Sequence, residues 1–289
     1  MEGNIGERGN RVERIIYLDN AATTRCGEEA AALIMRLLRE EYGNPSSLYG
    51  MGLAAEKEVH RAAERLASAL RCREDEIVFT SGATEANNLA LIGGARARQK
   101  RLTGIVASPL EHASVLGAAG WLGENGFAWR QTEGTAPQDY AALVDEKTTL
   151  VSCMLVNNET GAVSDVAAIA EAVRQKNPQT LVHCDAVQGF GKLPIDLRRL
   201  PVDLLSVSAH KIYGPKGVGA LFVRRGVRLT PLLYGGGQQK GLRPGTESVP
   251  LIAGFGLAAE IAAARREERF TYAAALRARL CEAVQGWGT

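Results

Sequence analysis

The sequence predicts an α/β fold, a mostly parallel sheet with helices on both faces, and three observations carry that expectation. Short apolar runs rich in β-branched residues alternate with longer segments of helical period. The alternation repeats from Ile77 to Val223, and strand, loop and helix in repetition mean parallel strands covered on two sides. At 289 residues and 46% hydrophobic, the chain is long enough to bury one large core.

The elements follow in order. Residues 1–16 are polar and glycine-rich, with no apolar stretch behind their charges, and read as a disordered lead-in without a signal peptide. Leu53 to Leu70 places Val59, Ala62, Ala63, Leu66 and Leu70 on one helical face. Strands are expected at Ile77 to Thr80, Gly104 to Ser108, Thr149 to Val156, Leu181 to Cys184, Val202 to Ser208 and Ala220 to Val223. Asp165 caps a helix running to about Lys176, where Asn177 and Pro178 stop it. After Thr246 the pattern reads as one long helical stretch to about Trp287.

Composition excludes several functions. Lys and Arg total 34 against 32 for Asp and Glu, so no net field draws the chain to nucleic acid or to an anionic membrane. The longest apolar run, Val249 to Ala264, is interrupted by Glu260 and is too short to span a bilayer. Cys26, Cys72, Cys153, Cys184 and Cys281 are odd in number and contain no CxxC pair, which argues against a disulfide framework and a metal site. A reducing cytoplasm fits. The "GFG" at Gly189 to Gly191 lacks the third glycine of a dinucleotide fingerprint, and there is no P-loop.

Open α/β sheets bind ligands beyond the carboxyl ends of their strands, so the residues that follow each strand test for function. Here they are "SGATEANN", "PLEHAS", "NNETG", "DAVQ" and "AHK", polar clusters that would converge on one crevice. A lysine at a strand end, Lys211, is partly desolvated there, which frees its amine for attack on an aldehyde. Pyridoxal phosphate is an aldehyde cofactor that fits the other residues, since Asp185 can keep its ring nitrogen protonated. In "SGATE", Ala83 and Thr84 open a helix whose amides and dipole favour a phosphate, with Ser208 and His210 as further donors. His112 could lie over a ring or carry a proton, and Gln188 and Asn158 suit a phenolic oxygen or a carboxylate. His60 and His183 read as structural.

The motifs "YLDNAATT", "NPSSLYGMG", "FTSGATEANNLAL", "EHASVL", "VNNETGAV", "HCDAVQGFGKLPIDL", "SAHKIYGPKGVGAL" and "GGGQQKGLRPGTES" resemble, in unbroken order from about Tyr17 to Glu260, those of the cysteine desulfurases of the class V aminotransferase group. The resemblance implies a pyridoxal-phosphate transferase of fold type I that turns L-cysteine into alanine, passes the sulfur through an enzyme cysteine to an acceptor protein, and serves iron-sulfur cluster assembly. It implies that Lys211 bonds the cofactor and moves protons, that Asp185 meets the ring nitrogen and Gln188 the phenolic oxygen, and that His112 covers the ring. It also puts Asn158 near the ring and substrate carboxylate, and Ala83, Thr84, Ser208 and His210 around the phosphate. Thr246 would reach the partner's phosphate site in a homodimer. Residues 17–260 would form the cofactor-binding domain and 261–289 the start of a small C-terminal domain, largely missing.

Three departures from the family pattern stand out. Tyr49 replaces a usual histidine and Gln239 a common glutamate. The third is that the family's nucleophilic cysteine and carboxylate-clamping arginine lie in a segment beyond Thr289. Cys153 and Cys184 sit in apolar strands, Cys26 and Cys72 near helix ends far from any motif, and Cys281 on a helical run with Leu276, Leu280 and Val284, where core packing is expected. The rival reading is a truncated chain that binds the cofactor or dimerises without turnover. Within the enzyme class, selenocysteine lyase and cysteine sulfinate desulfinase remain alternatives.

Overall fold

The computed structural model describes residues 16–287, so the lead-in expected at the N-terminus lies almost wholly outside the described residues. Seven strands form one sheet: β1 (Ile77–Thr80), β2 (Gly104–Ala107), β3 (Ala128–Gln131), β4 (Thr148–Met154), β5 (Leu181–Asp185), β6 (Leu204–Ser208) and β7 (Gly219–Val223). Their order across the sheet is β1-β7-β6-β5-β4-β2-β3. Only β7 runs against its neighbours; the others are parallel to one another.

Alternation along the strands sorts the core into two layers. Ile77, Phe79, Val151, Val182, Val207 and Phe222 point to a layer closed by α2 (Gly50–Leu70), α7 (Val166–Lys176) and α8 (Val249–Ala264). Val78, Ile105, Leu150, Leu181, Leu204 and Leu221 point to the other face, closed by α3 (Ala83–Asn88), α4 (Gly94–Arg98) and α5 (Ala113–Glu124). A π-turn at Leu89–Gly93 joins α3 to α4. Helix α1 (Glu28–Arg39) packs on α8, and α6 (Pro137–Leu143) lies beside α7. Where α8 crosses α2 the backbones nearly touch: a Cβ on Gly256 would sit 2.5 Å from the Cα of Ala62.

The expected strands are present, with shifted ends. Strand β4 stops at Met154, and Val156 instead forms an isolated bridge with Val163. Strand β3 has no counterpart in the sequence expectation. It is a four-residue edge strand, "AWRQ", with both ends exposed, so it lacks the buried apolar run that marks the others. Asp165 caps α7 as expected, its carboxylate accepting from the amide of Ala168 at 3.0 Å.

The long C-terminal helix is two helices. Helix α8 ends at Ala264, and Arg265 (φ −101°, ψ 12°) turns the chain into α9 (Arg266–Val284). No glycine or proline marks this break, so periodicity ran straight through it. None of the residues of α9 is buried: Leu276, Leu280 and Val284 are exposed, and so is Cys281, against the expectation of core packing. Arg269 holds the start of α9 to the body through its guanidinium, 4.5 Å from the centre of the Tyr213 ring.

Gln239 closes the sheet edge at β1. Its Oε1 accepts from the amide of Phe79 at 2.7 Å, and its Nε2 donates to Glu247. An amide side chain can do both; a glutamate there would set two carboxylates against each other, which accounts for the glutamine at this position. Gln239 and Lys240 both take left-handed backbone (φ 45° and 60°) to make the turn. Tyr49, the other substituted motif residue, is an exposed N-cap of α2. Among the described residues no helix is long and apolar enough to cross a membrane, and no cluster of side chains is set to hold a metal.

Candidate active site

The parallel strands deliver their carboxyl ends to one crevice of about 660 Å³. Because β7 is antiparallel, it brings its beginning, Gly217 to Gly219, to the same rim. A Cβ on Gly219 would lie 2.8 Å from the Cα of Gly82, so glycine is what lets the Ser81–Gly82 turn close against β7. Nine of the ten residues expected at the site line the crevice: Ala83, Thr84, His112, Asn158, Asp185, Gln188, Ser208, His210 and Lys211. Thr246 does not; it is exposed on the loop after Arg243, whose guanidinium binds Glu85 at 3.0 Å.

Asp185 is buried at the end of β5. Its Oδ1 accepts from the amide of Val187 at 3.0 Å and its Oδ2 from Asn87 Nδ2 at 2.8 Å. Burial raises its pKa, and these donors, with the charges of His112 and Lys211, only partly offset that. The same Asn87 amide nitrogen donates to Ser114 Oγ at 2.8 Å, and Ser114 Oγ lies 2.8 Å from His112 Nδ1. His112 is the N-cap of α5, and its Nδ1 accepts from the amide of Ser114 at 3.1 Å. A nitrogen that accepts from an N–H carries no proton, so a neutral His112 keeps its proton on Nε2.

Lys211, half-buried after β6, donates from Nζ to the carbonyls of Ala21 (2.6 Å) and Ala22 (2.8 Å). Desolvation holds its amine below the ordinary lysine range, against the pull of Asp19 and Asp185. His210 meets Thr23 Oγ1 at 3.1 Å, and burial followed by the charge of Lys211 lowers its pKa, so it is a neutral hydrogen bonder at pH 7.

The 16–286 stretch matches the profile of the aminotransferase class-V family. The chain belongs to this family. Relatives within it include cysteine desulfurases, enzymes that work with pyridoxal phosphate. The cysteine desulfurase IscS of Methanosarcina thermophila is 38% identical over 284 residues, 96% of this chain and 70% of its own length. Among solved structures, a NifS-like protein superposes with a TM-score of 0.92 at 41% identity, over 94% of this chain and 76% of that one. SspA in complex with cysteine gives 0.81 at 36% identity, over 85% and 72%.

The residues present fit the family's cofactor. A fully buried carboxylate met only by neutral donors at contact distance is short of a cation, which a protonated ring nitrogen supplies. The Ser81–Gly82 turn, which Gly219 lets close against β7, and the first amides of α3 offer donors to a phosphate, and Lys211 lines the same crevice.

None of the five cysteines lines the crevice. Cys153 and Cys184 are buried as expected; burial pushes the Cys72 thiol up to about 12 and also raises that of Cys26. Cys26 is nearer the site than expected, on a segment tied to His210 through the Thr24 hydroxyl at 2.9 Å.

Sequence reasoning passed over Asn87 and Glu111. Asn87 lies one helical turn beyond Thr84, and its spacing was the available signal. Glu111 is buried below the crevice, where its Oε1 accepts from the amide of Met154 (2.8 Å) and from Ser108 Oγ (3.2 Å). Its Oε2 lies 3.2 Å from Ser152 Oγ, which leads to His183 at 2.8 Å and on to Ser206 at 2.9 Å. His183 is thus structural, as expected, and burial lowers its pKa to about 3.

Burial first, and the Asp185 charge second, push Glu111 from 4.5 up to about 8. The folded state therefore keeps a proton that the unfolded chain releases above pH 4.5. Stability is greatest below that pH and falls as pH rises toward 8, by up to about 1.4 kcal/mol per pH unit from this residue. Denaturant midpoints measured from pH 5 to 8 should fall less steeply in Glu111→Gln than in the parent. Equal slopes would mean that Glu111 is ionised in the fold.

Proposed function

We propose that the chain acts on L-cysteine, removing its sulfur and leaving alanine, and that the crevice around Lys211 is where this occurs. The observation that carries the proposal is the meeting of Lys211, Asp185, Gln188 and His112 with the Gly82–Thr84 turn in one crevice. When bound, pyridoxal phosphate supplies an electrophilic aldehyde carbon and a ring that accepts electrons.

Lys211 Nζ would hold the cofactor through its aldehyde carbon and would serve as the base for the proton of the substrate Cα; its lowered pKa favours both tasks. Asp185 would hold the proton on the ring nitrogen, and Gln188 would donate to the phenolic oxygen. His112 would cover the ring and offer a proton from Nε2. Asn158 is suited to the ring and substrate carboxylate, and Ala83, Thr84, Ser208 and His210 to the phosphate. Thr246, exposed and outside its own crevice, would serve a partner's phosphate in a homodimer. Residues 17–260 would be the cofactor-binding domain, in a cytoplasmic enzyme that hands sulfur to an acceptor protein. Support for cysteine as substrate comes from the similarity to SspA, which was solved with cysteine bound.

A second reading rests on the cysteines. With none of them in the crevice, the arrangement described binds and activates cysteine without a thiol placed to take its sulfur. One experiment separates the two: the visible spectrum of the cofactor-loaded chain before and after L-cysteine, with alanine and sulfide assayed in the same sample. Repeated alanine formation supports desulfuration. A spectral change without alanine supports binding alone, and no change with cysteine counts against both.

A further inference from the structure

Behind Gln188 lies a second, mostly apolar cavity of about 510 Å³, lined in part by Ile212, Phe270 and Lys192. Gln188 lines both this cavity and the crevice; Lys192 lines only this one. Lys192 Nζ donates to Gln188 Oε1 at 2.9 Å, and Gln188 Nε2 donates to the carbonyl of Ala21 at 2.8 Å. That carbonyl also receives Lys211 Nζ at 2.6 Å.

We propose that Lys192 is a positioning residue that fixes the amide of Gln188, so that its Nε2 rather than its Oε1 is presented to the cofactor's phenolic oxygen. A glutamine amide can be turned end for end at little cost, and the two orientations are chemically opposite toward an anionic oxygen: one donates to it, the other repels it. An ammonium can only donate, so a lysine on one side of the amide selects the orientation with oxygen toward the lysine and nitrogen away. The Ala21 carbonyl, which can only accept, selects the same orientation from the other side. Lys192 acts across Gln188, four residues before it, and needs no contact with the cofactor.

The inference rests on Gln188 meeting the phenolic oxygen, and the test separates the two. The cofactor dissociation constant and the pH midpoint of the bound cofactor's visible band are measured for the parent, Lys192→Met, Lys192→Arg, Gln188→Ala and the double variant Lys192→Met/Gln188→Ala. Thermal melts confirm that each variant folds. Lys192→Met should weaken cofactor binding about ten- to a hundredfold, the effect of one charge-assisted hydrogen bond. It should also move the midpoint to higher pH, because the unprotonated phenolic oxygen loses its donor. Lys192→Arg should restore both. In the Gln188→Ala background, Lys192→Met should add nothing. If Gln188→Ala shifts the midpoint and Lys192→Met does not, the lysine has no such role. An undiminished Lys192→Met effect in the Gln188→Ala background overturns the proposal too, since the lysine then acts elsewhere. If Gln188→Ala moves neither quantity, the proposal falls together with the reading of Gln188.

Discussion

Lys211→Ala is expected to bring cysteine turnover down to background, a loss of at least about 10³-fold, because one side chain supplies both the nucleophilic amine and the base. The cofactor should still bind, more weakly and without a covalent link. The phosphate donors of the Gly82–Thr84 turn and the Asp185 carboxylate do not involve the lysine side chain. Borohydride reduction followed by peptide mapping checks this directly. The parent should carry the label on Lys211 and the variant should carry none; a label on Lys192, the neighbouring half-desolvated lysine, would move the assignment there. Lys192 is the proper control because desolvation, then the charge of Lys211, lowers its amine to about 8.

Asp185→Asn should separate stability from activity. The asparagine keeps an acceptor for the Val187 amide and has nearly the same shape, its amide nitrogen can donate to Asn87 once that side chain turns to offer its otherwise unpartnered Oδ1, and the substitution removes a carboxylate that burial disfavours. The unfolding midpoint at pH 7 should therefore rise or stay level. Turnover should fall about 10² to 10³-fold, since a neutral amide cannot stabilise a protonated ring nitrogen as charge develops. Parallel melts and alanine assays decide it. A variant that loses both together would mark Asp185 as a packing residue, and one that keeps its activity would remove it from the site.

What the sequence revealed and what it hid follow a physical division. Lys211, Asp185 and His112 could be read because each comes within a few residues of a strand's carboxyl end, and strand ends are visible as apolar runs followed by polar residues. Cys153 and Cys184 could be assigned to the core on the same local grounds. Glu111 is different. It neighbours His112 in sequence, but its role depends on β4 bringing Ser152 and Met154 beneath it. Lys192 belongs to the same class, since the donor it offers is meaningful only once Ala21 has closed over Gln188. The break at Arg265 escaped because it carries no turn residue, and the polar edge strand β3 because, although Asn125 and Gly126 turn the chain before it, it has no apolar run. The exposure of α9 was hidden for a further reason: an apolar stripe specifies that a face will be covered, and not by what.

The bond from Phe79 to Gln239 has a consequence for how the molecule behaves in a crowded solution. A sheet normally ends in a row of free amides that will accept any extended strand, from a neighbour as readily as from a copy of itself. Here that position is occupied by a side chain belonging to the loop that leads to Thr246. The cover is not a strand, so it carries no register and offers an incoming chain no edge to continue. The loop thus guards this edge of the sheet against unwanted company, and its own ties, Gln239 to Glu247 and Arg243 to Glu85, keep it seated there.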